Sequence, residues 1–359
     1  MARSQLGARA SAVRETIAGL CENPASAAEL IEEVADRVRS VVPYDTGAWM
    51  TTDPDTLLPS AILPMDSNPA LHRQFSEVEL QGHADINSFD ELRRSGRTAA
   101  GLSLTTGGDL ARSLRYREVH MPHGLRDELR LLARSANATW AIACVTRAQD
   151  LPDFTADEVR WVASIADDLG EGLRSRLARP VSGSDAGRSP GMLVVGADGT
   201  IEASTGAADA WMESLSAPYP GALPTPIAMV ALQAQANAAG SQAGRAARLR
   251  LQLPGGGWLL VHADVLRDAG AAAGRVAVVL EPADRAELVP LLVALHGLTG
   301  RERDVTELLV GGIGTDEIAT RLHISRHTVR DHVKAIFAKV GVSSRVELTA
   351  ALAQEPLAA

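Results

Sequence analysis

Apolar positions recur along this chain in alternating helical and extended rhythms. Ala28, Leu30, Ile31, Val34, Val38 and Val41 keep a helical stripe, so a helix is expected from Ser26. Ahead of it, residues 6–20 suit a short helix. After Pro43-Tyr44-Asp45 the pattern turns extended. Residues 47–51 and 57–63, separated by the Asp53-Pro54-Asp55 turn, predict a β-hairpin. A polar, glycine-rich stretch, helix then loop, runs to about Gly124. Residues 125–132 and 139–145 predict two more strands. Thr155 with Glu158 makes a capping box, and Phe154 is placed to staple onto Val159. The stripe Val162, Ile165, Leu169, Leu173 carries that helix to about residue 177.

Residues 179–190, RPVSGSDAGRSP, offer little to bury and predict a linker. Beyond it lies a second set of elements. Residues 192–195 and 201–204 flank the Asp198-Gly199 turn as a hairpin. Residues 206–215 and 226–239 suit helices. Three strands are expected over 246–253, 258–265 and 275–280, the first two joined by Pro254-Gly255-Gly256-Gly257. Residues 287–298 form an apolar helix able to couple this part to the C-terminal segment.

In the last sixty residues the rhythm is helical throughout. Thr299 and Glu302 form another capping box, Val305, Leu308 and Leu309 share a face, and Gly311-Gly312 ends the helix. Thr315 is expected to cap a second helix lined by Ile318, Ala319 and Leu322. Ser325 caps a third after a turn of about three residues, the connection of a helix-turn-helix. This third helix has two faces. Val329, Val333, Ile336, Phe337 and Val340 make a core seam, while Arg326, Arg330 and Lys334 recur every four residues. Such a rod suits the DNA major groove, where cations reach phosphates and the O6 and N7 acceptors of guanine. A charge run is more often only a solvated face. Asp331 could accept from cytosine N4 or pair with a neighbouring cation.

The segment resembles the DNA-binding domain of LuxR-type (GerE- or NarL-type) bacterial transcription regulators. The likeness rests on Leu298-Thr-Gly-Arg-Glu302, Glu317-Ile-Ala319, Ile324-Ser325, Thr328-Val-Arg330 with His332, and Lys339-Val-Gly-Val342 leading to Ser344-Arg345. It implies that the third helix enters the major groove, with Arg330, Asp331 and Lys334 among the residues that meet bases and phosphates. The candidate DNA-binding set is Ser325, Arg326, Thr328, Arg330, Asp331 and Lys334. A fourth helix, about 345–353, falls where that family pairs two domains into a dimer. Two positions depart from the family pattern. Gly314-Thr315-Asp316 replaces a polar Ser-Asn-Lys run, setting an acid where a phosphate contact is usual, and Ala335 replaces a frequent asparagine.

By layout, residues 25–178 resemble a GAF sensor domain and residues 191–283 a PAS domain. The expected architecture is therefore multidomain. An N-terminal helical arm (1–24) precedes an α+β GAF-like domain (25–178), a linker (179–190) and an α+β PAS-like domain (191–283). A connecting helix (284–297) then leads to an all-α, four-helix helix-turn-helix domain (298–359). The closing helix near 155–177 could pair with its copy in a dimer or pack on its own sheet.

Composition narrows the function. The 359 residues carry a net charge of -9, which argues against indiscriminate coating of nucleic acid but not against a small specific module. Cys21 and Cys144 are too few for a disulfide framework and suit buried thiols in a reducing cytoplasm. No apolar run reaches about 18 residues and no signal-peptide core is seen, so a cytoplasmic protein without membrane contact is expected. His120, His123 and Cys144 lack the spacing of a metal or haem site. Gly107-Gly108-Asp109 begins a diguanylate cyclase signature that Leu110 and Ala111 break. No GxxxxGK[ST] loop, serine elbow or paired-carboxylate site occurs, so no enzyme and no cofactor are expected. Asn137-Ala138-Thr139 is a sequon without meaning in the cytosol. Trp49, Trp140, Trp211 and Trp258 are expected to fill cores rather than line a ligand pocket.

A sigma-factor region 4 would need an upstream helical block rich in aromatic and basic residues, and only 3% of the chain is aromatic. The expected function is a sensor-controlled transcription regulator that binds double-stranded DNA as a homodimer. RNA polymerase and a small-molecule ligand of unknown identity are candidate further partners. The alternative is a ligand-binding receptor whose helix-turn-helix contacts a protein.

Overall fold

The computed structural model describes residues 2–22, 26–65, 68–80, 85–178, 188–215, 217–218, 221–240, 245–253, 257–268 and 271–351. The expected 179–190 linker and the 254–257 turn fall largely outside them.

The first module opens with α1 (Ala2–Glu22) and α2 (Ala27–Val41). Ser26 caps α2 reciprocally with Glu29, so the polar start and the stripe Leu30, Ile31, Val34, Val38 set where it begins and which face is buried. The hairpin β1 (Thr46–Thr52) and β2 (Pro59–Pro64) comes next, then α3 (Pro69–Leu80), α4 (Phe89–Ser95), β3 (Ala99–Gly101) and α5 (Leu102–Thr106). Short helical turns lead to β4 (Leu125–Ser135), β5 (Ala138–Ala148), α6 (Ala156–Ala163) and α7 (Ala166–Leu177). The five strands form one antiparallel sheet in the order β2-β1-β5-β4-β3. Sequence pattern did not reveal β3. It is three residues long, with no room for an alternation to register.

The second module has β6 (Gly191–Val195), β7 (Ile201–Ser204), α8 (Gly206–Met212), α9 (Thr225–Ala238), β8 (Arg248–Gln252), β9 (Trp258–Asp268) and β10 (Ala271–Pro282). Its sheet, β7-β6-β10-β9-β8, repeats the strand order of the first: second, first, fifth, fourth, third. In both modules a hairpin is joined edge-on to the last strand, and intervening helices cover one face. The remaining helices are α10 (Arg285–Leu295), α11 (Gly300–Val310), α12 (Thr315–Arg321), α13 (Arg326–Val340) and α14 (Arg345–Ala351).

The expected closing helix of the first module is not continuous. It breaks at Ser164 and Ile165, whose amides bond three residues back to Trp161 and Val162 while the Ser164 hydroxyl donates to the Trp161 carbonyl. Its second half, α7, does not offer its stripe to a second copy. Leu169 and Leu173 are buried, and α7 lies on β4 and α1. Gly170 sits so close to β4 that a Cβ there would stand 2.4 Å from the Arg134 backbone.

Trp49 and Trp140 lie in the core of the first module and Trp211 in that of the second. Their indole nitrogens donate to the Tyr44 hydroxyl and to the Ser135 and Ser189 carbonyls. All four expected tryptophans, Trp258 included, are at most 5% exposed.

Candidate nucleic-acid interface

Two of the last four helices, α11 and α13, are placed by the local chemistry legible in the sequence. Thr299 and Glu302 cap α11 reciprocally, and Gly312 (φ +89°) takes the left-handed turn that releases the chain. Ser325 caps α13, its hydroxyl accepting from the Thr328 amide at 3.1 Å, and Gly341 (φ +76°) closes the same helix. The second helix differs from expectation. Thr315 is its first helical residue, and Gly314 occupies the cap without a side-chain bond. Glycine needs no side chain to hold the extended cap conformation, and the chain uses the earlier residue. Four residues, 322–325, make the turn between α12 and α13, with His323 at φ +53°.

Val329 and Ile336 of α13 are buried against Val305, Leu309 and Ile318, so the seam read from spacing is the core of this domain. The opposite side is open. Ser325, Arg326, Arg330, Asp331 and Lys334 are exposed and Thr328 is half-buried beside the cap. All six candidate residues thus lie on one end and one outer side of a single helix.

Their electrostatics are unequal. Arg326 Nε lies 2.5 Å from Asp316 Oδ1, so the acid at the start of α12 engages one of the three cations. Asp331 stands 3.8 Å from His327 one turn away, the neighbour-pairing alternative for that residue. Arg321 pairs with Glu317 at 2.5 Å. Arg330 and Lys334 have no ion pair or hydrogen bond among the described residues.

Lys339, part of the motif, serves differently. Its ammonium donates to Glu302 at 2.6 Å and to the Gly297 carbonyl at 3.2 Å, strapping the end of α13 to the start of α11. Burial alone would raise the Glu302 carboxyl, but Lys339 and the Thr299 cap outweigh it and hold the pKa below its ordinary value. Arg345 likewise donates inward, to the Leu309 carbonyl. A base in the motif can therefore be engaged within the domain while still exposed, and only the packing of α11 tells Lys339 from Lys334.

The histidine pair in the first module gathers no metal site. His123 Nε2 bonds Gln74 at 2.8 Å, while His120 is buried and stacked on Phe75. No cluster of three or more metal-ligating side chains occurs among the described residues. No helix among them is long and apolar enough to cross a membrane.

A short-turned helix pair whose second helix is apolar behind and cationic in front is the arrangement of a helix-turn-helix domain. Residues 296–352 match the family described as bacterial regulatory proteins, luxR family, and this C-terminal domain is of that LuxR/GerE type. Spore germination protein GerE of Bacillus subtilis is 52% identical over 48 residues, 13% of this chain and 65% of GerE. A putative HTH-type transcriptional regulator of Mycobacterium bovis is 45% identical over 51 residues, 14% of this chain and 6% of its own. The chain thus spans less than two thirds of either relative. Among solved structures, the Vibrio cholerae VqmA dimer, a LuxR-type receptor, overlays 45% of this chain and 81% of its own at 17% identity. Its TM-score of 0.19 is too low to bear on the fold.

Proposed function

We propose that the chain is a transcription regulator in which two sensor modules, one GAF-like and one PAS-like, control a LuxR-type helix-turn-helix. The single observation that carries the DNA reading is the outer side of α13, where Arg330 and Lys334 stand exposed and unpaired among the described residues. The domain works as a dimer on two half-sites. Val346, 72% exposed on α14, suits the pairing surface. A signal at the sensor modules shifts the population able to engage both half-sites at once. RNA polymerase is a further candidate partner, and the reading assigns no enzymatic step.

Selection of duplexes from a random pool by the full chain, followed by gel shifts, tests the proposal. Arg330→Ala and Lys334→Ala should each weaken binding by about 1–3 kcal/mol, roughly tenfold. If either residue contacts phosphate, its loss should also lower the slope of log affinity against log salt by about one. Unchanged affinity in both folded variants would remove this recognition face. Asp316 and Asp331 favour the second reading, a protein partner at the same face. Failure to retain any duplex at low salt would select it.

A further inference from the structure

The two α+β modules border a half-open cavity of about 260 Å³ at their shared boundary. Met50 of β1 and Ile62 of β2 line it from the first module. Val195 of β6, Leu223, and Met229 and Leu232 of α9 line it from the second. Of the polar side chains on its wall, Arg73, Ser76 and Gln235 are already committed, and His72 and Thr225 complete the set. The Arg73 guanidinium donates to Glu77 and to the Asp198 and Ala197 carbonyls of the β6–β7 turn. Ser76 Oγ donates to the His72 carbonyl at 2.9 Å, and Gln235 Nε2 to the Gly274 carbonyl at 3.3 Å. No carboxylate lines it among the described residues. A second chamber of about 50 Å³ shares Met50 and Met229 with the first and reaches toward Phe75 and Phe89. Methionine is the apolar side chain that most easily changes shape, so the partition between the chambers is deformable.

We propose that this boundary cavity binds a neutral, predominantly apolar small molecule. Its size is near the lower end of ordinary ligand pockets, about 300 Å³, and apolar walls with few polar groups are the common composition of such sites. Arg73 attracts an anion only weakly, because Glu77 already balances its charge and three of its five N–H groups are engaged. Because the walls come from both modules, the occupant favours one relative placement of the two over others. The same boundary holds the connector to the last domain. Arg250 of β8 binds Asp53 of the first module at 2.8 Å and donates to the Glu287 carbonyl of α10 at 2.8 Å. A consequence for DNA rests on the proposed regulatory function; the binding site does not.

Calorimetric titration of the full chain with 1-octanol, and separately with octanoate, tests the site. Saturable binding of 1-octanol, at least tenfold tighter than octanoate, is expected. Ala228→Phe and Ala222→Phe, two separate ways of filling the cavity, should each weaken 1-octanol binding at least tenfold. Thermal melting confirms that each variant is folded, and Arg330→Ala should bind 1-octanol as the parent does. That last protein separates the two ideas, since it can lose DNA and keep the probe. No saturable 1-octanol binding to the parent, tighter binding of octanoate, or undiminished binding in a folded filled variant would each overturn the proposal.

Discussion

At Gly170 a single hydrogen decides whether α7 can lie on β4. A methyl group there would meet the carbonyl, amide and carbonyl carbon of Arg134 at 2.4–2.6 Å. Backbone cannot rotate aside as a side chain can, so Gly170→Ala should destabilise the first module by about 1–3 kcal/mol despite the better helix propensity of alanine. A several-degree fall in melting temperature would show it, and an unchanged melt would mean that α7 is free to move. Nothing in the sequence distinguishes Gly170 from Gly172 or from a tolerated mid-helix glycine, because the contact is made with Arg134, on a different element.

His120 is a second residue whose state is set by its neighbours. It is 1% exposed, stacked on Phe75, and faces Glu128, Arg115, Arg130 and Asp85. Burial first, and then the two guanidinium groups, push its pKa down to about 4. Glu128 moves the same way, to about 2, because Arg115 and Arg130 outweigh the cost of its burial. Both groups bind protons more readily once unfolded. Their stabilisation is therefore complete above the unfolded values near 6.5 and 4.5. It is lost as pH falls from 6.5 toward 4 for the histidine and from 4.5 toward 2 for the glutamate. The thermal midpoint should drop in two stages on acidification, and His120→Gln should flatten the upper one. An unaltered upper stage in that variant would assign the titration elsewhere.

At the scale of elements, α12 and α13 share an ion pair beside the proposed DNA face. Asp316 holds Arg326 at 2.5 Å, and both are more than half exposed, so the pair adds little to stability. Its effect on binding should be larger, since an acid beside phosphate repels while an arginine released from it attracts. Asp316→Asn is expected to tighten duplex binding several-fold and steepen its salt dependence, with the melting temperature unmoved. Weaker binding would mean that the pair instead orients Arg326 for contact. This helix pair is legible in the sequence because capping and seam are short-range properties. The α12 cap lies one residue before the expected Thr315, and nothing in the spacing foretells that Asp316 finds Arg326.

For the whole molecule, the boundary between the modules joins a buried ion pair to the Arg245–Asp90 pair and to Leu58 and Leu80 packed into the second module's core. Arg250 and Asp53 are 2% exposed each, joined by two charge-assisted bonds, with Asp55 adding a third at 3.2 Å. Removing Asp53 leaves the buried guanidinium only the partly exposed Asp55 and the Glu287 carbonyl, so Asp53→Ala should cost about 3 kcal/mol. The loss should appear as separated unfolding of the two modules in calorimetry; a single shared transition would show that other contacts couple them. The last domain is attached by similar means. Arg174 of α7 donates to the Leu295 carbonyl, and a Cβ placed on Gly297 (φ +63°) would stand 3.3 Å from the Ala136 methyl at the tip of the β4–β5 hairpin.

Periodicity and capping by themselves determined most of the secondary elements, β3 and the break between α6 and α7 excepted, and the helix whose outer side carries the candidate DNA contacts. These are properties of residues three or four apart, and the free energies involved act within one or two helical turns or along one strand. Tertiary structure alone decided which cations stay unpaired, that Lys339 is a strap, that the closing helix faces its own sheet, and that a cavity forms between the modules. Those outcomes depend on residues far apart in the chain, such as Asp53 and Arg250, brought together only when separate hydrophobic faces are buried against one another.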